Sequence, residues 1–189
     1  MTPLLLLLAL ILGPGETRPS LPPTTGADGR QVDWALPPTG KALVVVVYSS
    51  ECPISNEYSP TVRALAERTT GQARFVGVCV DDEMADSAIL EHAREHGLPF
   101  PVARDVDGRV ASALGAKTSP EAVVIDSAGV IRYRGRIDDQ FAARGKRNAH
   151  PSEPDLARAI AAVAAGRPVA APWPPAVGCP LPERRAPAK

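Results

Sequence analysis

Cys52 is the residue of this chain whose surroundings most clearly favour chemistry. It follows residues 42–48, an apolar and mostly β-branched run that predicts a strand buried on both faces. Pro53 comes next, and proline suits the first position of a helix, where its missing N–H would have no partner. We therefore expect Cys52 where a strand ends and a helix begins, among free N–H groups that favour a thiolate. The alternative is a small buried hydrophobe, but inert cysteines are more typical inside an element.

Two further cysteines are candidates to react with Cys52, and their settings differ. Cys79 lies near the end of a predicted strand, where packing in the core is favoured over a redox role. Cys179 lies in a proline-rich tail that follows Gly166. Because the total of three cysteines is odd, at least one of them has no partner within the chain.

The elements that must position Cys52 follow from hydrophobic periodicity and from turn residues. The chain predicts strand, helix, strand and helix, then an antiparallel hairpin and a final helix. These strands make one mixed sheet, with helices on both of its faces. Asp82 and Ser152 are expected to cap the second and the last long helix. The predicted strands are 31–36, 42–48, 74–80, 122–126 and 130–136, the predicted helices are 53–70, 83–96 and 152–165, and residues 102–113 hold a short strand and a short helix.

The composition excludes some classes of function. The chain carries 21 basic and 21 acidic side chains, so its formal net charge is zero. Aromatic residues make up only 4% of it, which leaves few platforms on which bases could stack. A nucleic-acid partner is therefore not expected.

The chain has 189 residues, and its 21 prolines are concentrated near the two ends. This length and this distribution indicate one domain of ordinary size between two tails. The apolar run at 4–12 is too short to span a bilayer but matches the core of a secretory signal. We expect a signal peptide at 1–18, a linker at 19–26, the domain at 27–168 and a proline-rich tail at 169–189. Such a chain meets the membrane only as an exported precursor, and it works in a periplasmic or extracellular compartment where disulfides persist.

Two prolines placed around Cys52 make the chain resemble thioredoxin-like proteins. In that fold the active-site cysteine opens a helix that a proline interrupts eight residues later, which is the place of Pro60 here. The fold also has a cis-proline before the first hairpin strand, which is the place of Pro120 here. The resemblance implies an α/β, thioredoxin-like fold in which Ser119–Pro120 is cis and faces Cys52.

Three segments bring the chain closer to one branch of that fold. They are ECPISN at 51–56, GRIDD at 135–139 and GCPL at 178–181. Together they are similar to segments of the redoxins in the alkyl hydroperoxide reductase and thiol-specific antioxidant group, the peroxiredoxin-like proteins. The resemblance covers residues 27–181.

The chain departs from these relatives at three positions. Ser55 stands where thioredoxins have their second cysteine, so no neighbouring thiol can resolve a mixed disulfide. Ser49 keeps the hydroxyl of the peroxiredoxin motif, but Val45 stands where that motif has a proline. Pro120 stands where peroxiredoxins have the arginine that holds the peroxide.

The resemblance implies an exported redoxin, a thiol-disulfide oxidoreductase with Cys52 as its redox nucleophile. The Ser49 and Ser55 hydroxyls would stabilise the thiolate, and Pro120 would shape a groove for an extended disulfide substrate. The implied partners are a disulfide-containing protein and an external thiol reductant, and no cofactor or metal is implied. The alternatives are a peroxiredoxin-like thiol peroxidase that reduces hydroperoxides, a metal-binding module, and a module that only binds partners.

The resemblance and the reach of the tail together bear on how Cys52 is resolved. A tail extended from Gly166 can reach about 40 Å, enough to cross a domain of this size. Gly178 lets the backbone approach closely, and a Gly-Cys pair near the end is similar to the family. Cys79 is held in a strand, so it can pair only if the fold already brings it close. We therefore favour Cys179 over Cys79 as the partner of Cys52, within one chain or across a dimer.

Two charged patterns are interpreted as solvated surface. His92 and His96 form a His-x-x-Glu-His pattern of one metallopeptidase class, but the sequence offers no third ligand for a metal. Arg132, Arg134 and Arg136 belong to the predicted hairpin, where arginines are more often on a solvated face.

Overall fold

The computed structural model describes residues 16–17 and 20–181. Most of the predicted signal segment, and the last part of the predicted tail, therefore lie outside the described residues. Within the described residues, none of the helices has both the length and the apolar character needed to cross a bilayer.

The described chain alternates strands and helices in the order that the sequence predicts. The strands are β1 (Glu16–Thr17), β2 (Ala42–Tyr48), β3 (Ala73–Cys79), β4 (Val102–Arg104), β5 (Thr118–Ser119), β6 (Glu121–Ile125), β7 (Val130–Gly135), β8 (Phe141–Ala143), β9 (Lys146–Arg147) and β10 (Cys179–Pro180). The helices are α1 (Pro53–Arg68), α2 (Asp86–Glu95), α3 (Arg109–Ala113) and α4 (Asp155–Ala164).

A six-stranded sheet with the order β1-β7-β6-β2-β3-β4 forms the centre of the fold. Strand β2 pairs in parallel with β3 and antiparallel with β6, so that Val45 lies between Val76 and Val123. All residues of β2 are buried, as expected for a strand covered on both faces. Strands β6 and β7 form the antiparallel hairpin that the sequence predicts. The order and the mixed pairing confirm the thioredoxin-like fold.

Different elements cover the two faces of this sheet. Val44 and the residues that alternate with it along β2 pack with α1 and α4. Leu43 and its alternating neighbours pack with α3 and with the amino-terminal segment. Helix α2 extends the first layer, because its Ile89 packs beside Tyr48 at the end of β2. The carboxyl end of β2, from which the chain continues to Cys52, is therefore held firmly in the core.

The strand predicted at 31–36 does not form. Gln31 makes one isolated bridge with Thr25. Beyond it, the Asp33 carboxylate accepts a hydrogen bond of 2.8 Å from the Ala35 N–H. An aspartate that bonds the backbone two residues on stabilises a turn, and this local turn competes with pairing in a sheet.

Neither residue predicted as a helix cap has that role. Helix α2 follows Ala85, later in the chain than Asp82 would require. Helix α4 follows Pro154. The Ser152 N–H instead donates to the Asp139 carboxylate at 2.8 Å. A carboxylate is a stronger acceptor than a neutral group, and this bond holds Ser152 in the preceding loop.

The segments on either side of the predicted domain lie against it. Leu21 is buried in the core on the α3 side, and Gly26 bridges to Ala103. At the other end, Trp173 packs against Tyr133 with ring centroids 6.2 Å apart. Beyond Trp173 the chain runs back across the domain, and β10 pairs antiparallel with β5. This pairing brings Cys179 to the end of the sheet where Cys52 lies.

Candidate redox site

Cys52 lies where the sequence predicts it, at the junction of β2 and α1. It is the N-cap residue of α1, and Pro53 follows at the start of the helix. The Cys52 N–H donates to the Ser49 carbonyl at 3.3 Å, which closes a tight turn after the strand. The residue is only 2% exposed. The amino end of a 16-residue helix favours negative charge, so this position stabilises a thiolate.

The Cys179 sulfur lies 2.8 Å from the Cys52 sulfur. Both thiols are free in the structure, and their separation exceeds the length of a disulfide bond, about 2.05 Å. Cys52 Sγ also lies 3.2 Å from the Ser119 carbonyl oxygen. As a thiol Cys52 can donate a hydrogen bond to this carbonyl, and as a thiolate it can accept a hydrogen bond from the Cys179 thiol.

Close backbone contacts hold the tail over Cys52. A β-carbon on Gly178 would lie 1.9 Å from the Ser119 carbonyl oxygen, so no other residue fits there without moving the tail. The Leu181 N–H donates to the Lys117 carbonyl at 2.9 Å, which extends the pairing of β10 with β5. Further back along the tail, the Pro174 carbonyl accepts a bond of 3.2 Å from a backbone N–H at the end of β7.

The pKa values of the two thiols are shifted in opposite directions. Burial acts to raise the pKa of Cys52, but hydrogen bonds from the Cys179 thiol and N–H and from the Ser55 N–H and hydroxyl outweigh it, so this pKa is lowered. The pKa of Cys179 is raised, because its thiol donates to Cys52, and because burial and the negative charge of Cys52 disfavour a second thiolate. Arg144 opposes that shift. The pair therefore keeps one proton on Cys179 while Cys52 is a thiolate.

Ser119 connects the other two serines of the site. Its hydroxyl accepts a bond of 2.7 Å from the Ser49 N–H and lies 2.8 Å from the Ser55 hydroxyl. The Ser49 hydroxyl accepts a bond of 3.2 Å from the Glu51 N–H and also interacts with the Asp81 carboxylate. The structure thus brings Ser55, but not Ser49, into hydrogen-bonding contact with the Cys52 sulfur.

The peptide bond between Ser119 and Pro120 is cis, as the resemblance predicts. Pro120 and Ser55 line one wall of a small cavity beside α1, together with Tyr58. Pro120 therefore lies next to the residues that contact Cys52, although its role in substrate binding stays a prediction.

Asp81 organises the loop before Cys52, and the sequence analysis missed it. Its carboxylate accepts bonds from the Ser50 N–H at 2.7 Å, the Ser50 hydroxyl at 2.6 Å and the Cys79 thiol at 3.3 Å. Burial acts to raise the pKa of Asp81, but bonds from Ser49, Ser50 and Cys79 outweigh it and lower this pKa. The position of Asp81 just past the carboxyl end of β3 was a usable signal, since side chains gather at that edge of such a sheet.

Cys79 belongs to a different environment from the other two cysteines. It is fully buried and packs with Tyr48 and Ile89, whereas Cys52 and Cys179 pack together in another cluster. Burial and the nearby Asp81 carboxylate raise the pKa of Cys79 to about 12. A thiol with this pKa stays protonated at neutral pH and reacts slowly.

His92 is half-buried, so the prediction of a solvated face is wrong for this residue. Its Nε2 lies 2.9 Å from the Asn56 side-chain oxygen, and its ring stacks on Tyr48 with centroids 5.7 Å apart. The Asn56 amide donates to the Ser50 carbonyl at 2.8 Å. Through its contact with Asn56, His92 supports the loop that precedes Cys52. Within the part of the chain that the structure describes, no group of three or more His, Cys, Asp or Glu side chains could hold a metal ion.

The hairpin arginines are engaged away from Cys52. Arg132 pairs with Asp126 at 2.7 Å, and Arg136 pairs with Asp155 at 2.7 Å. Arg134 donates to the backbone carbonyl at the end of α3, at 3.3 Å. Arg132 is buried, at 9% exposed, so the prediction of a solvated face is wrong for it. Its ion pair with Asp126 compensates for burial of the charge.

A cavity of about 290 Å³ opens beside the tail. Its lining includes Cys179 and Pro180 of the tail together with Ser49 and Ser119. Acidic residues, among them Glu51, also line it. Cys179 lines this cavity and Cys52 does not.

A family model, that of the Redoxin family, matches residues 14–144. The chain belongs to the Redoxin family. The matched region of this redoxin includes Cys52 and Pro120. Cys179 lies beyond the matched region, so the tail supplies the second sulfur of the site from outside it.

Solved structures share the fold of this redoxin. A conserved uncharacterized protein of Geobacillus kaustophilus is 25% identical, with a TM-score of 0.79 and 93% of each chain covered. A hypothetical protein of Sinorhizobium meliloti 1021 is 24% identical, with a TM-score of 0.77, over 88% of this chain and 92% of that chain. A secreted Mycobacterium tuberculosis disulfide oxidoreductase, homologous to Escherichia coli DsbE, is 19% identical, with a TM-score of 0.56. The match covers 74% of this chain and 94% of that chain. No curated protein sequence matches the chain.

Proposed function

We propose that this redoxin is a thiol-disulfide oxidoreductase in which Cys52 is the nucleophile and Cys179 resolves it. The main support for this proposal is the distance of 2.8 Å between the two sulfurs. The lowered pKa of Cys52 gives the thiolate that exchange requires, and Ser55 stabilises that thiolate. The raised pKa of Cys79, and its place in a separate cluster, argue against a resolving role for that residue.

The exchange takes place in two steps. The Cys52 thiolate attacks one sulfur of the partner's disulfide, the partner's S–S bond breaks, and the departing partner thiolate takes the proton of Cys179. The new Cys179 thiolate then attacks Cys52 Sγ, closes the Cys52–Cys179 disulfide and releases the second partner sulfur as a thiolate. The partner's disulfide gains two electrons and the cysteine pair loses them. An external thiol reductant restores the pair.

Because Cys52 is covered, a partner protein can reach it only after the tail has moved. Strand β10 occupies the edge of β5, next to Cys52 and Pro120. An extended segment of a partner protein can pair with that edge by strand addition only after β10 has left it. The tail therefore acts both as the carrier of the resolving thiol and as a cover over the nucleophile.

We also infer that the redoxin is exported. The apolar run at 4–12 matches the core of a secretory signal, and a disulfide between Cys52 and Cys179 persists best in an oxidising compartment. The Mycobacterium tuberculosis protein with the same fold is itself named as secreted. Amino-terminal sequencing of the mature protein should find its first residue between 15 and 26. Recovery of intact Met1 from the cytosol would contradict export.

Hydroperoxide reduction by the same thiolate has less support. Peroxiredoxins place an arginine where Pro120 stands, and the hairpin arginines here bond to other groups. A metal-binding role and a purely partner-binding role have no observation in their favour at this site. The function best supported is disulfide exchange.

Turnover of the three cysteine variants tests this function. Reduction of insulin disulfides by dithiothreitol is measured with the wild type and with Cys52→Ser, Cys179→Ser and Cys79→Ser. We expect Cys52→Ser to lower the catalysed rate by about a hundredfold or more, since the nucleophile is gone. Cys179→Ser should accumulate mixed disulfides or over-oxidised Cys52, and Cys79→Ser should turn over like the wild type.

Other patterns would change the assignment. Accumulation of mixed disulfides in Cys79→Ser rather than in Cys179→Ser would move the resolving role to Cys79. Normal turnover in both would make an external thiol the resolving group. Wild-type activity in Cys52→Ser would refute disulfide exchange at this site and would leave partner binding as the better account.

A further inference from the structure

The two sulfurs of the proposed disulfide differ in how a second molecule can reach them. Cys52 is 2% exposed and lies under β10. Cys179 is half-buried, and it lines the cavity of about 290 Å³ that Cys52 does not line. Thiol–disulfide exchange depends on which sulfur is accessible as well as on the attacking thiolate. The structure therefore offers an external thiol one sulfur of the pair and covers the other.

We propose that the external thiol reductant attacks Cys179 Sγ, and not Cys52 Sγ, when the Cys52–Cys179 disulfide is reduced. This inference rests on the proposed function. It assigns to Cys179 the mixed disulfide with the reductant.

Two exchange steps reduce the Cys52–Cys179 disulfide. A reductant thiolate forms a bond to Cys179 Sγ, the Cys52–Cys179 bond breaks, and Cys52 leaves with the electron pair as a thiolate. A second thiolate of the reductant then attacks the reductant sulfur of the mixed disulfide. This releases the oxidised reductant as a disulfide and leaves a Cys179 thiolate, which takes a proton from the solvent. The reductant loses two electrons, and the cysteine pair gains them.

The surroundings of Cys52 favour this direction of cleavage. A sulfur leaves faster as a thiolate when its thiol has the lower pKa. The N–H and the hydroxyl of Ser55 stabilise negative charge on Cys52, and the amino end of α1 adds to this. Cys179 lacks a helix end, and its pKa is raised by its contact with Cys52. Access and leaving-group stability therefore select the same sulfur for attack.

The backbone contacts of the tail keep Cys179 in place during the step. The Leu181 N–H bonds to the Lys117 carbonyl, and Cys179 pairs with Ser119 across β10 and β5. Neither contact involves the S–S bond, so the tail need not move for the reductant to attack. Attack on Cys52, by contrast, requires β10 to be lifted from β5.

A rapid-quench experiment on the oxidised wild type identifies the attacked sulfur. The disulfide form is mixed with 2-mercaptoethanol, quenched with acid within the first turnover, and its free thiols are alkylated with N-ethylmaleimide. Peptide mass spectrometry then locates the mercaptoethanol adduct. We expect it on Cys179, with Cys52 alkylated, in an excess of about tenfold or more over the reverse pattern.

The matched control repeats the reaction on protein unfolded in guanidinium, where both sulfurs are exposed. There the selectivity should fall to within about threefold, because burial and the helix end no longer distinguish the cysteines. An adduct on Cys52 in the native protein, or equal amounts on both cysteines, would overturn the inference while leaving the proposed function intact. Absence of a Cys52–Cys179 disulfide from the oxidised starting protein would overturn both.

Discussion

The Cys179 thiol lies 2.8 Å from the Cys52 thiol, although 127 positions separate the two residues in the sequence. The carboxyl-terminal tail places a second sulfur beside Cys52, whereas thioredoxins have their second cysteine three residues after the first. Ser55, which occupies that neighbouring position, contributes an N–H and a hydroxyl to the thiolate instead.

Gly178→Ala should separate the two sulfurs. A β-carbon at this position would lie 1.9 Å from the Ser119 carbonyl oxygen, so the tail must shift away from β5. We expect the rate of Cys52–Cys179 disulfide formation under mild oxidation to fall by about tenfold or more, because the effective concentration of Cys179 drops. Gly71→Ala is the control, since nothing lies within 4 Å of its added carbon. Equal rates in both variants would show that β10 does not need this close contact.

Cys179→Ala should raise the pKa of Cys52. The Cys179 thiol is the largest of the groups that lower this pKa against the effect of burial. A lowered pKa means that the thiolate forms at lower pH, so its ultraviolet absorbance should appear at lower pH in the wild type than in the variant. Cys79→Ser should leave this first step unchanged, because burial raises the pKa of Cys79 to about 12. A first step that shifts only in Cys79→Ser would contradict the assignment.

Ser55→Ala should also raise the pKa of Cys52 and slow its reaction with iodoacetamide near neutral pH. The Ser55 hydroxyl lowers that pKa and lies 2.8 Å from the Ser119 hydroxyl. We expect a loss in the free energy of unfolding of about 1 kcal/mol from the same change. The exposed Ser87 offers a control, Ser87→Ala, on the solvent side of α2. An unchanged alkylation rate in Ser55→Ala would show that the Ser55 hydroxyl does not stabilise the thiolate.

Asp81→Asn should destabilise the loop before Cys52 without removing any cysteine. The carboxylate accepts two hydrogen bonds from Ser50 and one from Cys79. Because an amide accepts more weakly than a carboxylate, the free energy of unfolding should fall by about 1–3 kcal/mol in urea titrations. Glu67→Gln, at an exposed position of α1, should change it by less than about 0.5 kcal/mol. Equal stability of the two variants would show that the Asp81 carboxylate does not stabilise this loop.

The sequence was sufficient to predict the strand-to-helix junction at Cys52, the hairpin and the cis bond at Pro120. These features depend on local patterns, namely an apolar run, turn residues and two prolines at family positions. The thiolate-stabilising roles expected of Ser49 and Ser55 stay predictions. The Ser55 hydroxyl is among the groups that lower the pKa of Cys52, whereas the Ser49 hydroxyl bonds to Glu51 and Asp81.

Other features depend on packing between distant segments, which periodicity does not show. Asp81 and His92 support the Cys52 loop only because β3 and α2 pack beside it. The burial of Arg132 depends on its partner Asp126 across the hairpin turn. The reach of the tail made Cys179 a candidate, but only the pairing of β10 with β5 shows where its sulfur lies.

A redox titration tests whether Cys52 and Cys179 form the redox pair of this redoxin. The wild type is equilibrated with mixtures of reduced and oxidised dithiothreitol, its free thiols are alkylated, and the peptides are mapped by mass spectrometry. We predict one reversible two-electron transition in which Cys52 and Cys179 become linked to each other while Cys79 stays alkylated throughout. Linkage of Cys52 to Cys79, or a Cys52 that stays alkylated at every ratio of oxidised to reduced dithiothreitol, would contradict it.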